Sequence, residues 1–378
     1  MGAGATPLKG IKVVELARIL AGPWAGQVLA DLGCEVIKVE SPSGDDTRRW
    51  GPPFVSRAGT SDDAAYFHAC NRGKQSIVAD FNDPEDLARV KALIADADVV
   101  IENFRVGGLA RFGLDHASLK ELHPRLVYCS ITGFGQDGPY AGRAGYDFII
   151  QGMSGFMSLT GEPDGEPQKI GVALADIVTG LYAVIGIQAA ILERESTGGG
   201  ANIDMSLLDS MVGVLANQAM NYLVSGTSPQ RMGNAHPNIA PYQVFRTEDG
   251  HFVLAVGNDR QFSQFCQIIG LTSAAGDSRF VSNRRRVEHR EALAEMIEAE
   301  TIKHATASLL EQCEDAGVPA GPINTVDEVF RDPQVVARGL VLGRAEGRPG
   351  VRTPIVYDGR PAASARAAPT LGEHDEKM

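Results

Sequence analysis

Asp176 is the side chain in this sequence best suited to nucleophilic chemistry. It lies in the run Gly171–Tyr182 (GVALADIVTGLY), one carboxylate among small and apolar residues. A helical pattern over 177–195 follows it directly. Two uses of that carboxylate are open on local sequence. It can cap the helix, the commoner employment of an aspartate there. It can also be a nucleophile in a partly dry pocket near the positive end of a helix dipole. No G-x-S-x-G elbow and no Cys–His signature offers a competing nucleophile. None of the eight histidines is spaced as a metal-ligand pair, so no metal site is expected.

A second set of residues could hold an anion. Arg18, Lys38, Arg48, Arg49, Arg72, Lys74, Arg105 and Arg111 all fall within the first 115 positions, near successive strand ends. Open parallel sheets bind ligands at the carboxyl ends of their strands, and a guanidinium there can grip phosphate through two bonds. Scattered solvated charge is the alternative for any one of them. Glu102-Asn103-Phe104 follows a strand, so the amide could hydrogen-bond a purine and the ring could stack on it. Tyr146-Asp147 follows a glycine-rich loop and can donate and accept in a polar site, or be a core tyrosine beside a solvated acid.

The elements that would position these groups follow from periodicity. Residues 11–16 form a strand pattern, a Gly22-Pro23 turn leads into a helix to about Leu32, and 35–39 form a second strand. Asn82-Asp83-Pro84-Glu85 starts a helix that runs to about Ala95. Strand patterns recur at 99–101, 126–130 and 201–205. Such alternation predicts a parallel sheet covered on both faces. Residues 43–65 read as a long surface excursion, and a helical pattern resumes over 206–224. A second unit is expected from near 235, with a strand at 252–256 and helices at 260–270 and 287–313. The first β-α turn, Ala17–Pro23, lacks G-x-G-x-x-G, so no dinucleotide fingerprint is present.

Composition excludes several classes. The 378 residues carry a net charge of −12, which disfavours nucleic-acid and anionic-membrane partners. Hydrophobic residues make up 44% and charged residues 22%, as in ordinary soluble domains. No stretch is read as reaching the ~18 consecutive apolar residues of a membrane span, and the N-terminus does not read as a signal peptide. The five cysteines (34, 70, 129, 266 and 313) are widely spaced, which fits buried thiols in a reducing compartment, so the cytoplasm is expected.

Taken in order, these pieces resemble the class III (CaiB/BaiF-like) CoA-transferase family, which includes formyl-CoA and carnitine CoA-transferases and alpha-methylacyl-CoA racemase. The resemblance is carried by Pro7–Leu16, Ala21-Gly22-Pro23, Asp31–Glu40, Asn71–Lys74, Glu102–Phe104, Gly145–Asp147, the Asp176 run, Gly317–Pro322 and Leu371–His374. It implies an α/β fold: a large Rossmann-like CoA-binding domain beginning with 1–224, a smaller α+β domain with linkers over 225–330, and a return of 331–378 to the large domain. It also implies an interlocked homodimer and no tightly bound cofactor, coenzyme A being a substrate. Asp176 would be the nucleophile that receives the acyl group of an acyl-CoA and then the coenzyme, before a small carboxylic acid accepts it. The residues that match the family's coenzyme contacts are Arg18, Asn103, Phe104, Arg111 and Tyr146, with Asp147 beside them. Lys38, Arg72 and Lys74 are taken as further coenzyme contacts. The racemase branch pairs the same aspartate with a histidine. This chain has Tyr146 there, a poor base at neutral pH, which favours transfer over racemisation.

Overall fold

The computed structural model describes residues 4–56, 62–343 and 349–377. Two compact units divide the chain: Met1–Phe156, Lys169–Thr227 and Pro333–Met378 form one, and Met157–Gln168 with Ser228–Asp332 form the other. The short excursion at 157–168 has no sequence signal.

The first unit is built on β1 (Lys12–Glu15), α1 (Ala21–Asp31), β2 (Glu35–Glu40), α2 (Ala65–Asn71), β3 (Gln75–Val78), α3 (Pro84–Ala95), β4 (Val99–Glu102), β5 (Val127–Thr132), α4 (Asp147–Met153), α5 (Leu174–Thr197) and β6 (Asn202–Ser206). Its six strands pair in the order β3-β2-β1-β4-β5-β6, and every pairing is parallel. Val13, Val36, Val99, Val127 and Cys129 face the layer that holds α1 and α5, while Val14, Ile37, Ile77, Val100 and Tyr128 face the other. Strands buried on both faces are why these segments read as continuous apolar runs.

Near its end the chain closes one edge of this sheet. The Ser76 N–H donates to Nδ1 of His374, and the Val78 N–H donates to the Asp375 carboxylate. The Gly372 N–H donates to the Ser76 hydroxyl.

Three expectations are corrected. The 43–65 excursion is not simply surface: Asp45, Thr47, Arg48, Asp63 and Ala64 are buried, because Arg48 bonds both Glu40 on β2 and Asp63. The helical pattern over 206–224 is not continuous but divides into α6 (Leu207–Gly213) and α7 (Ala216–Ser225), broken before Ala216, whose φ is +47°. And α5 is, by length and composition, apolar enough to cross a membrane. Counting only consecutive apolar residues missed it, because glycine, threonine and glutamine interrupt the run without making it polar. Part of its surface is buried in the protein, through Ala175, Thr179, Ala183, Ile187 and Ile191.

The second unit has an antiparallel sheet of β7 (Tyr242–Arg246), β8 (His251–Ala255) and β9 (Ala320–Pro322). Phe245, Phe252, Phe262, Phe265 and Phe280 form its core with helical residues such as Leu293, Ile297 and Leu309. Both units together make a mixed α/β protein.

Candidate active site

Asp176 is not the cap of its helix. Ala173 occupies the N-cap position of α5 and offers no side-chain acceptor, while Asp176 lies in the first turn. The acceptor comes from another helix. Asp147, the first residue of α4, takes the Ala175 N–H at 2.7 Å through Oδ1 and the Gln151 side-chain amide at 2.8 Å through Oδ2. Asp147 therefore does the work the sequence suggested for Asp176. That leaves the Asp176 carboxylate free of hydrogen-bond partners among the described residues.

Gly180 fixes where the helix lies. A Cβ there would meet the Ala21 carbonyl oxygen at 2.6 Å and the Trp24 side chain at 3.2 Å, so only glycine lets α5 rest on the start of α1. Asp176 is one turn earlier, on the same side of the helix. It thus lines a cleft with Ile19, Leu20 and Ala21. The opposite wall depends on another close approach, since a Cβ on Gly133 would lie 2.5 Å from the Gly145 Cα. The glycine-rich loop lines this cleft, which has a volume of about 180 Å³.

Opposing effects act on the Asp176 proton. The start of α5 favours the anion. Burial disfavours it, and the Asp147 charge disfavours it further. The latter two prevail, and the pKa is pushed up to about 7. Tyr66 on α2 is raised to about 12, by burial first and by the Asp176 charge next, which places its phenol close to the same carboxylate. Its ring meets Trp50 edge-on at 5.4 Å. Sequence reasoning missed Tyr66, which belongs to no motif quoted above.

Arg18 and Phe104 line the Asp176 cleft and a neighbouring cavity of about 320 Å³, which also contains Phe81, Arg111 and Phe112. Phe104 stacks on Phe81 with centroids 6.1 Å apart, and Phe112 meets Phe81 edge-on at 5.5 Å. Arg111 lies over the Phe112 ring at 4.4 Å. Arg18 pairs with Asp46 at 3.0 Å, but both side chains are exposed, so the pair is weak and exchangeable. Arg105, Arg111 and Arg143 make no ion pair among the described residues. Arg143, over the Tyr140 ring at 4.0 Å, was not anticipated and lines the cleft with Tyr146. Unpaired guanidinium groups around an aromatic-lined cavity in an acidic protein suit a polyanionic ligand with a flat ring.

Asn103 does something different from what its motif suggested. Its Oδ1 accepts the Arg18 N–H at 3.0 Å and its Nδ2 donates to the Arg18 carbonyl at 2.7 Å, so both ends of the amide hold backbone.

Lys38, Arg72 and Lys74 are also corrected, because their cations are engaged inside the fold. Lys38 Nζ meets Glu15 at 3.1 Å, Asp45 at 3.0 Å and the Ala17 carbonyl at 2.8 Å. Lys74 Nζ lies 2.8 Å from Glu15, and Arg72 grips both oxygens of Asp31. All three residues are buried. A basic residue at a strand end reads the same in sequence whether it faces a ligand or a buried acid.

Comparison with known proteins identifies the family. The model of CoA-transferase family III matches residues 8–375. A succinate–glutarate CoA-transferase of Agrobacterium fabrum is 58% identical over 98% of this chain and 94% of its own. A mouse succinyl-CoA:glutarate CoA-transferase is 43% identical, covering 97% of this chain and 84% of its own. Among solved structures, a CAIB/BAIF family protein from Brucella suis superposes with a TM-score of 0.89 at 59% identity, over 98% of each chain. The chain belongs to CoA-transferase family III.

Proposed function

We propose that this enzyme moves coenzyme A from an acyl-CoA donor to a carboxylic acid through a covalent intermediate on Asp176. The observation that carries the reading is a half-buried carboxylate with no hydrogen-bond partner among the described residues, its pKa raised to about 7, at the head of α5 in a cleft shared with Arg18, Phe104, Arg143 and Tyr146. The raised pKa makes Asp176 more basic and more nucleophilic than an ordinary aspartate, while a substantial fraction stays ionised at neutral pH.

In the proposed reaction the Asp176 carboxylate attacks the thioester carbonyl, and the C–S bond breaks to give a mixed anhydride and CoA thiolate. The thiolate attacks the aspartyl carbonyl, releasing the donor acid as its carboxylate and leaving an aspartyl-CoA thioester. An acceptor carboxylate attacks that thioester, and the thiolate then attacks the acceptor acyl carbon, freeing Asp176. Every step exchanges one activated acyl group for another, so water must stay out. The Gly133–Gly145 wall narrows the cleft in a way that serves this. Arg18, Arg105 and Arg111 would hold phosphates, and the Phe81–Phe104–Phe112 cluster would face the adenine.

The relatives at 58% and 43% identity are both named for succinate or its thioester together with glutarate, which supports succinyl-CoA as donor and a short dicarboxylic acid as acceptor. They favour transfer over racemisation. The exposed apolar residues of α5 and α7, among them Leu192 (75% exposed), Leu223 (71%) and Val224 (80%), support the proposed homodimer. Five buried free cysteines accord with a reducing, cytoplasmic setting, and we propose neither a membrane nor a nucleic-acid partner.

Incubation with succinyl-CoA and no acceptor should leave a CoA adduct on Asp176 that hydroxylamine or borohydride converts to a mass-shifted peptide. Glutarate should then discharge it. Absence of any adduct across a panel of donors would overturn the reading.

A further inference from the structure

The backbone of residues 17–19 is held at almost every polar group. The Ala17 carbonyl accepts from Lys38 Nζ at 2.8 Å. The Arg18 N–H and carbonyl are both taken by the Asn103 amide. The Ile19 N–H donates to the Asp45 carboxylate at 3.2 and 3.3 Å, and Cys70 Sγ lies 3.6 Å from the Ile19 carbonyl. Ile19 needs this, because its φ is +73°. A β-branched residue in the left-handed region is strained and persists only where its surroundings over-determine it.

Asp45 is the centre of that restraint. It is 3% exposed, pairs with Lys38 at 3.0 Å and accepts from the Thr47 N–H and hydroxyl at 3.0 and 2.8 Å. Its remaining bond goes to the Ile19 N–H. The turn it restrains joins two parts of the site. Arg18 lines the cavity of the aromatic cluster, and Ala21, two residues beyond Ile19, offers the carbonyl on which α5 rests at Gly180, one turn from Asp176.

We propose that Asp45 is a positioning residue for the reaction at Asp176. By holding Ile19 in its left-handed conformation, it fixes the distance between the anion-binding groups and the nucleophile. The proposal rests on the acyl-transfer reading. A thioester anchored at its phosphates reaches Asp176 in register only if this turn is rigid, and misplacement by about 1 Å can cost roughly 10²-fold in rate.

The test compares Asp45→Ala and Asp45→Ser with and without Ile19→Gly, using succinyl-CoA and glutarate, with wild type and Asp176→Asn alongside. Either Asp45 variant should lower kcat by about 10²-fold while donor KM stays within about threefold. Amide exchange at Ile19 and Leu20 should quicken. Ile19→Gly in the same background should restore kcat by about tenfold, since glycine adopts this φ without strain. A residue that merely supports the fold would lower the thermal midpoint without this split between kcat and KM, and without rescue by glycine. The proposal is overturned if a folded Asp45 variant keeps kcat within about twofold, if glycine fails to rescue, or if neither Asp45 variant folds, which would mark Asp45 as framework alone. A wild type that transfers no CoA overturns the acyl-transfer reading and this proposal together. An active wild type silenced by Asp176→Asn, with full kcat in the Asp45 variants, overturns only the positioning role.

Discussion

The carboxylates beneath the strand ends and the carboxylate of Asp176, all in one unit, have opposite surroundings. Beneath the strand ends, Glu15, Glu40 and Asp45 lie among Lys38, Arg48 and Lys74. Burial pushes Glu40 and Asp45 up, but the Arg48 and Lys38 cations with nearby hydroxyl and amide donors bring both below the usual carboxylate range. Half-buried Asp176 is desolvated too, has an acid for a neighbour and no paired cation among the described residues, and goes up to about 7. The contrast separates framework from chemistry. Where a buried charge holds the fold, a countercharge accompanies it. At Asp176, the nucleophile of the proposed reaction, the fold withholds one.

The sharpest break in that contrast is removal of the unpaired group. Asp176→Asn should lower CoA transfer by about 10⁴-fold, read as loss of both turnover and the trapped adduct. Next in size is removal of a shared countercharge. Glu15→Gln takes away the one carboxylate paired with Lys74 among the described residues, and leaving that buried ammonium without a countercharge should cost about 3–5 kcal/mol in denaturant unfolding.

Stability should then report the cost of Asp176 itself. Its proton is retained to about pH 7 in the folded protein, against an ordinary value of 3.8. The folded state therefore binds more protons between those limits and loses stability as pH rises through them. Asp176→Asn should match wild type near pH 4 and exceed it by about 2–4 kcal/mol at pH 8, a gap that opens steadily between. Smaller again, Arg111→Ala should raise donor KM about tenfold with little change in turnover, as befits one lost charge-assisted contact to phosphate. The smallest effect sharpens the comparison from the other side. Asp147→Asn keeps an oxygen for the Ala175 N–H but removes the neighbouring charge. The acid limb of the rate profile should move to lower pH, only in part, because burial is the larger cause of the raised pKa.

Much of this was legible in sequence, for reasons that differ by residue. Alternating strand and helix patterns revealed the parallel sheet because its strands are apolar throughout. Asp176, Phe104, Tyr146 and Asp147 stand in contiguous motifs and Arg18 and Arg111 near strand ends; Asp176, Arg18, Phe104, Arg111 and Tyr146 line the cleft and its neighbouring cavity, and Asp147 holds the start of α5. Lys38, Arg72 and Lys74 misled because their partners Glu15 and Asp31 lie 23 to 59 positions away in the chain. Nothing local distinguishes such a pair from a ligand contact. Asn103 was noticed for its side chain, yet that side chain recognises a peptide 85 positions away. Asp45 comes from the 43–65 segment, whose Gly, Pro, Asp and Ser content suggests solvent, and Tyr66 follows it directly on α2. The segment's burial depends on ion pairs that no composition measure records.

The closure of the β3 edge by His374 and Asp375 has a consequence for biosynthesis. Ser76 and His374 are 298 positions apart, so the outermost strand leaves the ribosome long before the residues that cover it. Until then its free amides are a template for pairing with another nascent chain. Expression hosts rich in folding helpers, and extensions placed at the amino rather than the carboxyl end, should therefore give the higher yield of soluble enzyme.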